Sequence, residues 1–311
     1  MLLVLRVLAL SAAALPWRTL RIFGAVLGWL AGSVLRIRRK DVEQAMRAAG
    51  IGHPGAQARA MYRSLGTSAL ELLHVAARGV GAAPHARIDG PSQARWQEAL
   101  ARGRGVVVAA SHTGNWDLAA CAVARDVELL VVTKHLHVQS LDEFWQSARA
   151  SRGVHLAEAR GAMARAREAL GRGGAVAMMI DQVPASANHA IEAEFLGRMA
   201  LVDRAPAALA AACRAPLVVA ASRRAAGGEH VIVVLEVIEP PARPSRAWVT
   251  LATAAATRAL DQFVRAHPSQ WLWLHRRWKR LDRAGERTTL DASCPTRSTR
   301  SSSPAEPSKA A

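Results

Sequence analysis

Short apolar runs alternate with amphipathic stretches through the middle of the chain. Val106–Ala110, Val127–Thr133 and Ala175–Ile180 read as buried strands. Between them, Asn115–Arg125, Ser140–Arg152 and Ala162–Gly171 carry helical spacing. Strands and helices in strict alternation predict an α/β domain, with a largely parallel central sheet flanked by helices. A loop from Gln182 to Glu194 follows, then a helix over Ala205–Arg214. Two adjacent apolar runs, Pro216–Ser222 and His230–Val237, flank Ala226-Gly227-Gly228 and predict a hairpin. A helix over Arg246–Ala266 and a tryptophan-rich segment from Gln270 to Arg280 close the domain.

Upstream, Met61, Leu65, Ala69, Leu72, Leu73 and Ala76 recur at steps of three and four, so residues Asp41 to Arg78 read as helical. Gly79, Gly81 and Pro84 end that run. A further helix around Gln93–Ala101 leads to Gly103-Arg104-Gly105. The first 35 residues contain only Arg6, Arg18 and Arg21 as charges, and then meet Arg36-Ile37-Arg38-Arg39-Lys40. The uninterrupted apolar part, Ile22 to Leu35, is short of the roughly 20 residues a span needs. Joined to Leu2–Leu20 it predicts one tilted helix or two interfacial pieces bent near Pro16. The basic cluster behind it suits a cytoplasmic leaflet. A cleavable leader with Ala12-Ala13-Ala14 as its small-residue site fits less well, because Arg6 interrupts the apolar core and the pattern resumes afterwards. The expected organisation is a membrane anchor over residues 1–40, an α/β domain over 41–282 and a disordered Ser/Thr/Pro/Arg tail over 283–311.

Composition sharpens this picture. Apolar residues make up 51% of 311, enough for a sizeable core. The formal charge of +17 favours anionic partners: lipid headgroups, an acidic protein or nucleic acid. Three scattered cysteines, Cys121, Cys213 and Cys294, form neither a disulfide framework nor a zinc motif. His135 and His137 lack a third metal ligand in the sequence, so no metal is expected.

The candidate chemistry sits at the end of the first strand, in Ser111-His112-Thr113-Gly114-Asn115-Trp116-Asp117. A histidine followed five residues later by an acid occurs three times here, at His112/Asp117, His137/Asp142 and His189/Glu194. Only His112 stands between a buried strand and a helix start, where unpaired N–H groups can receive an anion or an oxyanion. Gly114 permits close approach and Asn115 is a good N-cap. Asp117 is expected to fold back and orient the His112 ring, as the acid of a base–orienter pair. With no separate Ser or Cys nucleophile evident beside it, the base would activate an acceptor hydroxyl directly. Asp181, after the third strand, lies where α/β folds place ligands. Lys134 ends the second strand and could face the same cleft. In Trp271-Leu272-Trp273-Leu274-His275-Arg276-Arg277-Trp278-Lys279-Arg280, cations and tryptophans interleave, which suits phosphates, a membrane surface, or a helix with one apolar and one solvated face.

The ordered set Gly103-Arg104-Gly105, Ser111 to Asp117, Asp181-Gln182, Phe195-Leu196-Gly197-Arg198 and His275-Arg276-Arg277-Trp278-Lys279 resembles the bacterial lipid A biosynthesis acyltransferases of the late lauroyl/myristoyl type. These belong with the wider glycerolipid acyltransferases that place four residues between a histidine and an acid. The resemblance runs from about Leu15 to Lys279. It implies His112 and Asp117 as the catalytic pair, with Gly114, Asn115, Lys134, Asp181, Arg198, His275, Arg276, Arg277 and Lys279 around the oxyanion and substrate. It further implies an acyl chain on acyl carrier protein as donor, no cofactor, and a lipid A precursor or similar glycolipid as acceptor at the cytoplasmic face of a bacterial inner membrane. Departures from the family pattern are Asp117 where Glu is more common, Lys134 where an arginine is common, and Met199 in place of a proline. A lysophospholipid or glycerol-phosphate acyltransferase is the alternative enzyme, weakened by the lack of a later Pro-Glu-Gly type motif. A non-catalytic basic protein binding membranes or nucleic acid is the alternative from another class; nucleic acid is not expected as a partner.

Overall fold

The computed structural model describes residues 1–78, 86–278, 280–281 and 287–288. It begins with helices α1 (Leu2–Ala14) and α2 (Trp17–Trp29), the latter running on through a π-helical turn, Leu30–Val34. Helices α3 (Arg39–Ala48) and α4 (Pro54–Ala77) follow, then strand β1 (Ala86–Ile88) and α5 (Gly90–Ala101). The alternating region is β2 (Val106–Ala110), α6 (Trp116–Val123), β3 (Leu129–Thr133), α7 (Gln139–Ala150), β4 (Val154–Glu158), α8 (Ala162–Gly171) and β5 (Ala175–Met179). A separate hairpin, β6 (Ala190–Phe195) and β7 (Arg198–Asp203), precedes α9 (Ala205–Cys213). Strands β8 (Leu217–Arg224) and β9 (His230–Ile238) and helix α10 (Arg246–Ala266) complete the domain.

One seven-stranded sheet has the order β1-β9-β8-β2-β5-β3-β4. Every neighbouring pair is parallel except β8 and β9, the hairpin expected around Gly227-Gly228. Val106, Val107, Val176, Val218 and Val219 are fully buried at the sheet's centre. Helices cover both faces, which explains why these strands read as continuous apolar runs and not as alternating ones. The α/β expectation therefore stands, with additions. β1 and β4 were not foreseen. Part of the expected 182–194 loop is strand β6, which pairs with β7 across a two-residue turn where Leu196 (φ 54°) and Gly197 (φ 76°) are both left-handed. The helical stretch 41–78 is two helices, parted at Gly50 to His53.

The N-terminal segment is two pieces, broken at Leu15-Pro16, where proline cannot continue α1. Both lie on α4. At the end of α1, His74 Nδ1 donates to the Ala12 carbonyl (2.8 Å), which also accepts the Leu15 N–H, and Arg78 donates to the Ala13 carbonyl. Helix α2 meets α4 through Gly24 and Gly28 on one side and Gly66 on the other, where backbones touch, and Gly32 in the π-helical turn makes room for the Tyr62 ring. Among the described residues no single helix is long and apolar enough to cross a membrane; the stretches Trp17–Val34 and Arg39–Ala48 have the composition only together, and they meet at 87°. The outward face carries exposed Leu3, Val7, Leu10, Ile22, Phe23 and Val26.

Gly79, Gly81 and Pro84, expected to end α4, lie outside the described residues. So does the expected tail, apart from residues 287 and 288, which pair with 280 and 281 in a two-strand ribbon.

Candidate active site

Strands β2 and β5 are adjacent, parallel and in register, with Ala110 opposite Met179. Two residues beyond those ends stand His112 and Asp181. Register alone therefore sets them side by side at the carboxyl edge of the sheet, the usual ligand edge of such folds. The Asp181 carboxylate receives the His112 backbone N–H at 2.8 Å on one oxygen and lies 2.9 Å from His112 Nδ1 with the other. The first oxygen also accepts the indole N–H of Trp271 at 2.8 Å. Burial pushes the Asp181 carboxyl up, but the His112 ring and amide together with Trp271 outweigh it and hold it at about 2. An ionised carboxylate at Nδ1 places a proton there, so in the neutral ring Nε2 is the nitrogen without one. The imidazole is partly open to solvent, with Trp116 edge-on at 5.0 Å. The Gln182 amide nitrogen sits 3.3 Å from both ring nitrogens.

Asp117 does not make the expected contact with His112. Gly114 (φ 58°) turns the chain, Asn115 caps α6 by accepting from the Leu118 N–H, and Asp117 emerges in the first turn facing α7. There Arg149 Nε donates at 2.7 Å and Trp145 Nε1 at 3.2 Å, one to each carboxylate oxygen. Two donors one helical turn apart fill the carboxylate, and the place beside His112 belongs to Asp181. Asp142 likewise pairs with His135 at 2.5 Å, not with the His137 that matched the spacing.

The turn carrying His112 is pinned on three sides. Leu272 N–H donates to the His112 carbonyl at 3.0 Å, and Gly114 N–H donates to the Gln270 carbonyl at 2.8 Å. Ser222 on β8 donates through its backbone to Thr113 Oγ1 and through its hydroxyl to the Thr113 carbonyl. A Cβ on Gly114 would stand 2.7 Å from the Ser222 carbonyl oxygen, so the site requires glycine for space as well as for its φ. These contacts correct one expectation: the Gly114 amide is already used and is not free for an oxyanion, while the Asn115 side chain is buried in structural bonds. Ser111 is buried and paired with Thr113, and burial pushes the Cys121 thiol up to about 12, so neither is a nucleophile.

The model of the bacterial lipid A biosynthesis acyltransferases matches residues 2–280. The chain belongs to that family. Comparison with curated protein sequences finds no match. Family membership supports acyl transfer in lipid A biosynthesis.

Other candidate residues of this acyltransferase fall into distinct groups. His275 lies by the site: its Nε2 accepts the Val183 N–H at 3.2 Å. Burial, aided by the nearby His112, Arg277 and Lys134 and opposed by Asp181, pushes it down to about 4, so it is neutral. Lys134 is exposed at the end of β3 and close enough to act on His275. Arg276 is exposed. Arg277 is not available as an exposed headgroup contact: it is 1% exposed, donates to the Leu201 carbonyl at 2.6 Å and packs on Phe195, and burial lowers its pKa to about 10. Arg198 packs 4.8 Å from the Trp278 ring centre. Lys279 lies outside the described residues. Residues 271–278 of the tryptophan-rich segment are not helical. Trp271 and Trp273 are buried, and Trp271 contacts Phe195, Trp273 and Trp278 edge-on. Gln182 and Trp271 stood inside the motifs read from the sequence without a role at His112, and Arg149 and Arg224 were missed; only the fold reveals which strand ends and loops meet.

Acidification should unfold the site in two stages. The His275 and His230 rings are held neutral by burial and the Asp181 and Glu71 carboxyls are held down to about 2. Below about pH 6.5 the unfolded chain binds the histidine protons that the folded one refuses, and below about pH 4 it also binds the carboxylate protons. Stability is thus full above pH 6.5, falls towards pH 4, and falls further towards pH 2. Calorimetric Tm against pH checks this; a flat Tm from pH 7 to 4 contradicts it.

Proposed function

We propose that the protein is a membrane-associated O-acyltransferase that moves a fatty acyl chain from acyl carrier protein to a hydroxyl of a lipid A precursor or similar glycolipid. The observation that carries this reading is the His112–Asp181 pair at the ligand edge of the sheet, which turns Nδ1 to the carboxylate and leaves Nε2 with only the Gln182 amide beside it at 3.3 Å. His112 Nε2 takes the hydroxyl proton as the oxygen attacks the thioester carbonyl. The tetrahedral oxyanion is stabilised by the Lys134 ammonium. As the carbon–sulfur bond breaks, the imidazolium returns the proton to the departing thiolate, so no co-reactant is needed. Asp181 stabilises the imidazolium throughout. Arg276 meets anionic headgroups or the acidic carrier, in keeping with the net charge of +17.

The exposed apolar residues of α1 and α2, flanked by Arg36 and Lys40, suit insertion into one leaflet at the cytoplasmic face of a bacterial inner membrane. The test is transfer of radiolabelled acyl chain from acyl carrier protein to a lipid A precursor in mixed micelles. His112→Ala should lower the rate by at least about a hundredfold. A folded His112→Ala protein that transfers at the wild-type rate overturns the mechanism.

A further inference from the structure

Glu71 on α4 is fully buried, and its carboxylate collects four donors. One oxygen accepts from Asn115 Nδ2 at 3.1 Å, from Arg224 Nη2 at 2.9 Å and from His230 Nε2 at 2.9 Å. The other accepts from Arg224 Nη1. Burial pushes the carboxyl up, but the bonds from His230 and Arg224 outweigh it and hold it at about 2. His230 stays neutral, since burial pushes it down, so its Nε2–H is a donor. None of these groups touches His112.

The bonds nevertheless close a ring around the catalytic turn. Asn115 donates both to Glu71 and to the Ser68 carbonyl while its oxygen caps α6. Arg224, gripped by Glu71 and Ser68, gives its own backbone N–H to Gln270 Oε1 at 2.9 Å. The Gln270 carbonyl receives the Gly114 N–H at 2.8 Å. The path from Glu71 through Arg224 and Gln270 thus arrives at Gly114, and the path through Asn115 arrives one residue later. Two neighbouring residues of the turn are fixed to one buried charge by independent arms.

We infer that Glu71 is a positioning residue for acyl transfer, holding the Gly114-Asn115 turn through Asn115 and through Arg224 and Gln270 so that His112 meets its substrate in one geometry. The acyl-transfer role rests on the function proposed above; the geometric role does not. A ring that served the fold alone would contribute to stability and leave the catalytic step untouched in any variant that folds. A positioning ring contributes to kcat, because sub-ångström placement of a base governs the reaction more than it governs binding.

Two variants test this in the full-length protein. Asn115→Ser keeps an N-cap hydroxyl and is too short to reach Glu71, so one arm is cut and the cap remains. Glu71→Gln keeps shape and removes the charge that grips both arms. Each is measured for kcat and KM with acyl-carrier donor and lipid acceptor, for Tm, and for amide hydrogen exchange of the peptide spanning residues 111–118. The expected result is a kcat loss of roughly ten- to a hundredfold with KM within about twofold. Exchange should accelerate in the 111–118 peptide, and peptides of β3 and β4 should be unchanged. Wild-type KM values with changed kcat and locally faster exchange support the inference. Unchanged kcat in folded Asn115→Ser together with unchanged exchange at 111–118 overturns it, as does a loss confined to KM. If Glu71→Gln does not fold, Asn115→Ser decides alone. If wild-type protein transfers no acyl chain, the proposed function fails, and the exchange measurement still decides whether Glu71 holds the turn.

Discussion

Asp181→Asn should reduce acyl transfer on the order of a thousandfold or more while leaving the protein folded. The reason is the direction of one proton. Asp181 accepts from His112 N–H, from Trp271 Nε1–H and from the imidazole Nδ1–H, and it donates nothing. An asparagine there has one accepting oxygen. The backbone amide and the indole hold that oxygen, so the amide NH2 faces Nδ1. The ring then turns to the Nε2–H tautomer, and the nitrogen that should take the substrate proton already carries one. KM should change little, because Asp181 is buried and does not reach the cleft. Asp117→Asn is the matching control. Its side chain sits between Arg149 and Trp145 and has no share in the His112 tautomer, so its effect on kcat should be smaller by at least about a hundredfold. Rates of both variants in the same acyl-transfer assay check the pair of expectations. Equal losses contradict them.

Gly28→Leu should have the largest effect on stability. A Cβ at Gly28 would lie 2.6 Å from the Tyr62 carbonyl carbon and 2.7 Å from Arg63 Cα. Those are backbone atoms in the middle of α4 and cannot rotate away. At Gly66, on the facing helix, a Cβ would lie 2.5 Å from the Gly28 nitrogen. A larger side chain forces the two helices apart, at a cost upwards of about 3 kcal/mol. The loss reaches the active site as well, because α4 carries Ser68 and Glu71 a turn further on. Gly52→Ala is the control: nothing lies within 4 Å of its added Cβ, and it should stay within about 0.5 kcal/mol of wild type. Thermal unfolding of both variants in one buffer checks this. A Gly28→Leu protein that melts with the wild type shows that α2 is not packed on α4 as described.

The strands and helices of the middle region were readable because each is a local pattern. Val106–Ala110 and Ala162–Gly171 carry their period within their own residues. The partner of His112 was not readable in the same way. Asp181 was visible as an acid at a strand end, but β5 lies next to β2 in space while β3 and β4 intervene in sequence. Residue spacing pointed to Asp117, since a histidine and an acid at a strand-to-helix junction invite pairing. The competing donors, Arg149 and Trp145, come from another helix, and nothing local announces them. The tryptophan-rich block misled for a related reason. Cations and aromatics interleaved in sequence look like an interface, yet Trp271 serves Asp181 in the core and Arg277 packs inside. The glycine stripe Gly24, Gly28 and Gly32 was present in the sequence at four-residue spacing. Its meaning depends on Gly66 arriving opposite, which is a tertiary fact.

The central claim is that Asp181 fixes the proton on His112 Nδ1 and leaves Nε2 bare. Nitrogen-15 NMR of imidazole-labelled protein at pH 8 reads this directly. The predicted result is a His112 Nδ1–H with a bare Nε2 in the wild type and in Asp117→Asn, with the proton moved to Nε2 in Asp181→Asn. A His112 ring protonated at Nε2 in the wild type, or one whose tautomer responds to Asp117→Asn and not to Asp181→Asn, would contradict the account.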